Sequence, residues 1–195
     1  MAISMEQVKE LRAQTGAGVV DAKKALTEAN GDLKGAIKWL REKGKATAAK
    51  KADRATHEGT IGVYVHSNGK IVSLVSVLCE TDFVAKSDRF QTLAKDIAMH
   101  VAAMSPSVVN PSDVPEDEIA VERELAQKQA EAAGKPPQIA EKMIEGKLRK
   151  FREERALLTQ PFVKEADKTI EQLVQAAIQE IGENITIKDF VRLSI

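Results

Sequence analysis

Three histidines and one cysteine are the first candidates for metal or nucleophilic chemistry in this chain, and their spacing excludes most of it. The three histidines, His57, His66 and His100, are scattered, and none has metal-ligand spacing. His100 lies between Leu93 and Met104 on the apolar stripe of a helical pattern. There it can be a satisfied core histidine or a residue facing a partner. Cys79 is the one cysteine, so no intrachain disulfide or cysteine cluster can form, and it reads as a small buried hydrophobe. Thr15-Gly16-Ala17-Gly18 has the glycines of a phosphate loop but neither a preceding strand nor the Walker spacing. It reads as a turn between helices, with Lys23-Lys24 on a solvated face beyond it. No catalytic residue, metal site or cofactor is expected. The remaining candidate is Glu80-Thr81-Asp82-Phe83-Val84-Ala85-Lys86, which follows directly on an apolar strand. Asp82 can cap a helix above a core Phe83. Alternatively, Phe83 is an aromatic wedge presented at an abrupt strand-to-helix corner, the kind of anchor that carries much of an interface's energy.

The elements that hold these residues follow from periodicity. Residues 1–44 read as three short helices. Ser4 and Gln7 have the form of a capping box, with Val8 and Leu11 behind it. A second helix runs from Val19 to Ala29 with Ala22, Ala25 and Leu26 inward, and Asn30-Gly31 ends it. Asp32 caps a third, with Leu33, Ala36, Ile37 and Leu40 inward and Gly44 as its end. Lys45 to Arg54 is a basic helical or flexible linker.

The period then becomes two. Ile61, Val63 and Val65 alternate with Gly62, Tyr64 and His66, and Asn68-Gly69 signals a hairpin. Ile71 to Cys79 is apolar on both faces, which predicts a strand inside a layered core. Ile185, Ile187, Val191, Leu193 and Ile195 predict a last strand that completes an antiparallel sheet. Two helices cover it, one through Phe90, Leu93, Ile97, Val101 and Met104, the other through Ile170, Leu173, Val174, Ala177, Ile178 and Ile181. Between them, after Pro106, Pro111 and Pro115, two charged helices joined near Gly134 to Pro137 form a protruding antiparallel hairpin. Their stripes are Ile119, Leu125, Ala126 and Ala130, then Ile144, Leu148 and Phe151.

Composition narrows the function classes. The 195 residues balance 29 basic against 29 acidic side chains, so bulk charge draws the chain to neither nucleic acid nor anionic lipid. Only 4% are aromatic, which argues against a base-stacking platform. The start, Met1-Ala2-Ile3-Ser4-Met5-Glu6, has no apolar signal core, and no stretch is long enough to span a bilayer. A cytoplasmic location is expected, consistent with the cysteine usage.

Two long segments carry a resemblance. Leu11 to Leu26, LRAQTGAGVVDAKKAL, is similar to the first signature of the elongation factor Ts family, and Cys79 to Lys86, CETDFVAK, resembles its second. Ile97 to Ala103, Gly134-Lys135-Pro136, Ile139 to Lys142, Gln160 to Val163 and Ile181 to Asn184 also resemble family segments, in order along nearly the whole chain. The resemblance implies a guanine-nucleotide exchange factor that binds GDP-bound elongation factor Tu and releases its GDP in translation elongation, without breaking a bond. It implies that the amino-terminal module docks on the GTPase through Arg12, Val19, Val20 and Lys23. The corner of Thr81, Asp82, Phe83 and Val84 then acts as the wedge near the partner's magnesium site, and His100 sits on a helix turned towards the partner. Long family members carry two related halves of the core; this chain has strands for one sheet, which implies that two copies pair as a homodimer.

The reading is therefore α+β. An amino-terminal three-helix (UBA-like) module with its linker, 1–54, precedes a dimerisation core, 55–195. The core is a small antiparallel three-stranded sheet packed with helices, and it carries the hairpin at 115–159. Neither membrane nor direct nucleic-acid binding is required. The alternatives are a ubiquitin-associated-type helical adaptor, a ribosome- or RNA-associated protein using Lys45 to Arg54, and an enzyme using Cys79 or a histidine.

Overall fold

The computed structural model describes residues 3–134 and 136–195; Met1 and Ala2 of the leading segment and Lys135 of the hairpin turn lie outside them. The chain opens with three helices, α1 (Met5–Thr15), α2 (Val19–Glu28) and α3 (Leu33–Lys51). Strands β1 (Glu58–Val65) and β2 (Ile71–Cys79) follow, then α4 (Asp82–Ala85) and α5 (Asp88–Met104). Next come α6 (Glu116–Ala132), α7 (Pro137–Arg155), β3 (Pro161–Phe162) and β4 (Glu165–Thr169). Helix α8 (Ile170–Ile181) and strand β5 (Thr186–Ser194) end the chain. The fold is α+β. Among the described residues no helix is long and apolar enough to cross a membrane.

The chain divides into two compact units, and their boundaries cut across elements. The first comprises the residues up to Gly62, Ser76–Lys95 and Gln172–Ile187; the second comprises Val63–Val75, Asp96–Glu171 and Lys188–Ile195.

In the first unit, Val8, Leu11, Ala22, Ala25, Leu26, Ala36 and Leu40 form the core of the three helices, with Ile3, Leu33, Ile37 and Trp39 packed against it. The capping box of Ser4 and Gln7 is present, and Asp32 accepts from the Gly35 amide at 2.7 Å. Gly31, at φ 85°, closes α2 by donating to the Leu26 carbonyl. Gly44 does not end α3, contrary to expectation. It is buried inside a helix that continues to Lys51. Its role is close packing, because a Cβ there would lie 3.0 Å from Gln179 Oε1 and 3.7 Å from the Gln175 carbonyl of α8.

The three-stranded sheet has the order β1-β2-β5 and is antiparallel. Its first turn is closed by His66 N–H donating to Ile71 O, with Gly69 at φ 67°. Helix α5 covers one face. A Cβ on Gly62 would overlap the Ala94 carbonyl, Ser73 Oγ donates to Ala98 O at 2.5 Å, and Arg192 Nε donates to Ala102 O at 3.0 Å. Strand β2 is not sandwiched as its sequence suggests. Ser73, Val75, Val77 and Cys79 are buried, but the alternate face is open at Leu74. In the second unit that outward face also carries Val63, Val65, Val191, Leu193 and Ile195, all exposed. Met104 is exposed too, because it is the last residue of α5.

The second unit also contains the helical hairpin. Val114, Ile119 and Leu148 form its small core with Ile144 and Phe151, and Arg152–Glu116 and Arg155–Glu118 pairs fix α6 and α7 antiparallel. Leu125 leaves the expected stripe and is exposed, whereas Ala126 beside it is buried. The small β3–β4 sheet has no counterpart in the sequence reading: it is antiparallel, irregular in register and only two and five residues long.

Candidate functional site

The corner after β2 is built to expose one aromatic side chain. Cys79 is fully buried, and its thiol donates to the Thr81 carbonyl at 3.2 Å. Burial pushes that thiol up to about 11, so it is an inert protonated group rather than a nucleophile. The cap of α4 is Thr81, not Asp82 as the sequence suggests: Thr81 Oγ1 accepts from the Val84 amide at 3.3 Å. Asp82 is the first helical residue and pairs with Lys86 one turn on, at 2.7 Å. That hydrogen bond to Lys86 holds the Asp82 carboxyl below its usual range.

Helix α4 is only four residues long, so neighbouring contacts set its orientation. Val84 and Ala85 are buried, so within the expected wedge Val84 forms the foot of the corner. Phe83 points away from them and is 82% exposed. At the far end, Ser87 Oγ donates to the Val84 carbonyl at 2.8 Å, and Gln91 Nε2 donates to the Ala85 carbonyl at 2.6 Å.

A second, polar tie was not legible in the sequence. The Glu183 carboxylate, just beyond α8, accepts from the Glu80 and Thr81 amides through Oε2, each at 3.1 Å, and from the Thr81 hydroxyl through Oε1 at 2.7 Å. In return, Glu80 Oε1 accepts from the Asn184 amide at 2.6 Å. Buried Asn184 donates onward to the Arg54 carbonyl at 2.8 Å. The sequence signal was the family-like segment Ile181 to Asn184, which gives no role to the acid just past the glycine that ends the helix.

Four more of the expected contact residues lie in the same compact unit: Arg12 in the last turn of α1, and Val19, Val20 and Lys23 at the start of α2. Val19 and Val20 are exposed, Val20 by 80%, and Lys23 is exposed one turn beyond Val20. Arg12 is exposed and donates from Nε to the Ala17 carbonyl at 3.2 Å, steadying the Gly16 turn, where φ is 69°. One tie reaches this region from α8, Gln179 Nε2 donating to Asp21 Oδ2 at 3.1 Å. Glu180 Oε2 instead accepts from Arg89 Nε and Nη2 of α5, at 2.9 and 2.7 Å, in a pair that lies beside Gly16. Lys43 also pairs with Asp21, and this hydrogen bond is the main cause of the lowered Asp21 carboxyl.

His100 is elsewhere, in the second unit, with no exposed surface. Its Nε2 meets Gln160 Oε1 at 3.1 Å, and its Nδ1 accepts from the Val163 amide at 3.2 Å. The Phe162 ring packs beside it, with centroids 6.2 Å apart. His100, which the resemblance places on a helix turned towards the partner, is a core residue in this chain and holds the β3 segment against α5. Burial lowers its pKa, partly opposed by the Gln160 hydrogen bond.

An exposed anchor on a rigid corner, a second apolar-and-basic patch in the same unit and no reactive nucleophile among these residues describe a protein-binding surface. A family model described as Elongation factor TS matches residues 3–195. The chain belongs to the elongation factor Ts family. It is 50% identical over 195 residues to Elongation factor Ts of Rubrobacter xylanophilus, covering all of both chains. It is 53% identical to Elongation factor Ts of Herpetosiphon aurantiacus, over all of this chain and 98% of that one. It is also 53% identical to Elongation factor Ts of Fervidobacterium nodosum, over all of this chain and 99% of that one. Membership in the elongation factor Ts family extends from the first helices through the corner to the last strand.

Proposed function

We propose that this chain promotes GDP release by driving Phe83 into its GTPase partner while the start of α2 holds the two proteins together. As a member of the elongation factor Ts family, it is a nucleotide-exchange factor for elongation factor Tu in translation elongation. The observation that carries the wedge reading is the 82% exposure of Phe83 beside buried Val84 and Ala85. A rigid aromatic projecting from a fixed foot is the form an interface anchor takes before binding. Arg12, Val19, Val20 and Lys23 of the 1–54 module supply the docking patch. Thr81 and Asp82 shape the corner, and no bond is broken and no cofactor used.

The mechanism is linkage. A factor that binds the nucleotide-free GTPase more tightly than the GDP-bound form weakens GDP by the same ratio by which GDP weakens it. The site of action is the cytoplasm, and nucleic acid is not required. Two copies pair through the outward sheet face of Val63, Val65, Leu74, Val191, Leu193 and Ile195. Apolar side chains in this number on one open face favour a self-complementary contact. Release of a fluorescent GDP from a bacterial elongation factor Tu, followed with and without this protein, tests the activity. An unchanged release rate at saturating protein rejects it.

A further inference from the structure

We infer that Glu183 is a positioning residue for exchange: its carboxylate fixes the corner from which Phe83 projects. The inference rests on the wedge reading above. Three groups of the corner donate to this one carboxylate: the amides of Glu80 and Thr81 and the hydroxyl of Thr81. The two amides lie where the chain has left β2 and has not yet entered α4, so neither ladder nor helix accepts them. A charged acceptor there is worth roughly twice a neutral one.

The Thr81 hydroxyl makes the link directional. It has one proton, which it donates to Glu183, leaving its lone pairs to accept the Val84 amide. Glu183 therefore sets the rotor of the cap, and the cap sets the first turn of α4. With α4 only four residues long, its own hydrogen bonds cannot hold that turn against rotation. Phe83 sits between the capped end and the buried foot of Val84 and Ala85. Its direction follows from both. Glu183 touches the partner in no part of this scheme; it acts through Thr81 on Phe83.

The test is a double-mutant cycle on the full chain, with GDP release from elongation factor Tu followed over a range of factor concentrations. Glu183→Ala should lower the maximal stimulated rate by about tenfold, the effect of losing hydrogen bonds to a charged group. The concentration giving half the effect should move much less, because the α2 patch is intact. In a Phe83→Ala background, Glu183→Ala should cost almost nothing further, since the residue it positions is gone. Should Glu183→Ala fail to melt cooperatively, Glu183→Gln replaces it, keeping the side chain's length while removing its charge and one of its two accepting oxygens. Loss of activity in Phe83→Ala with full activity in Glu183→Ala overturns the positioning role and leaves the wedge standing. Full activity in Phe83→Ala overturns the wedge and the positioning role together. Losses that multiply in the double variant show that Glu183 acts elsewhere, which also overturns it.

Discussion

Replacing Phe83 with alanine separates an interface anchor from a core residue in one protein measured two ways. The side chain is 82% exposed and sits in the first turn of α4. Its removal opens no cavity, and alanine is the better helix former by a few tenths of a kcal/mol, about the size of an ordinary surface substitution. The melting temperature of Phe83→Ala should therefore match that of the parent chain. Truncation of an interface anchor, by contrast, typically costs about 2 kcal/mol or more, or roughly thirtyfold in the rate it supports. Stopped-flow release of fluorescent GDP from elongation factor Tu, over a range of factor concentrations, reads that loss. Thermal unfolding followed by circular dichroism reads the stability. A core phenylalanine would behave oppositely, losing about 3–5 kcal/mol of stability. A Phe83→Ala chain that releases GDP at the parent rate refutes the wedge, whatever its melting temperature.

Light scattering should give twice the 21.2 kDa of one chain, and Leu193→Asp, which puts a charge on the outward sheet face, should give the single-chain mass without early melting. A parent chain that stays at single-chain mass at micromolar concentration argues against pairing through this face. Gly62→Ala should destabilise the fold by about 2 kcal/mol or more in denaturant melts, because its Cβ meets the Ala94 backbone carbonyl. Gly146→Ala, in α7 with no atom of the described residues within 4 Å of its Cβ, should instead gain about 0.5–1 kcal/mol. Buried His100 is held neutral, with a pKa below its unfolded value of about 6.5, so the unfolded chain binds the extra proton first as pH falls. Its contribution to stability is full above that value and declines as pH drops from there towards the folded pKa; melting temperatures of His100→Gln should vary less than the parent's across that range.

The amino-terminal helices were legible because their signals are local. The Ser4–Gln7 box, the Asp32 cap and the Asn30-Gly31 stop each act within a few residues, and each is present in the structure. Gly44 misled because a glycine that stops a helix and one that lets another helix approach look alike in one dimension; only Gln175 and Gln179, far along the chain, distinguish them. Asp82 and Thr81 are both good caps by type. The choice between them depends on Glu183, about a hundred residues away, which takes the Thr81 hydroxyl proton and turns its lone pairs to the helix. The direction of Phe83 was open for the same reason. Hydrophobicity alone favours burial, and the corner overrides it by filling the core with Val84 and Ala85 instead. The outward face of β2 was read as covered because its residues are apolar, and periodicity cannot say which molecule supplies the cover.

Rigidity at the corner and exposure of Phe83 are two parts of one requirement. An exposed aromatic on a mobile loop would lose about 0.5–1.5 kcal/mol on being immobilised at an interface, offsetting much of what its burial contributes. Linkage makes that loss matter for rate as well as affinity, because only the difference in binding between GDP-bound and nucleotide-free GTPase drives release. The ordering cost falls in the state that accommodates Phe83, where it subtracts from that difference. A side chain already fixed by the Glu183 tie, the Thr81 cap and the Val84 foot directs its contact energy into the state that accommodates it. Surface ion pairs would be a weak way to achieve this, since exposed pairs contribute about 0–1 kcal/mol and lose that in salt. Backbone amides donating to a carboxylate are a stronger way, because leaving them unpaired carries its own cost. The corner uses two such amides, and the Asp82–Lys86 pair at its exposed end is the part that salt can weaken without moving Phe83.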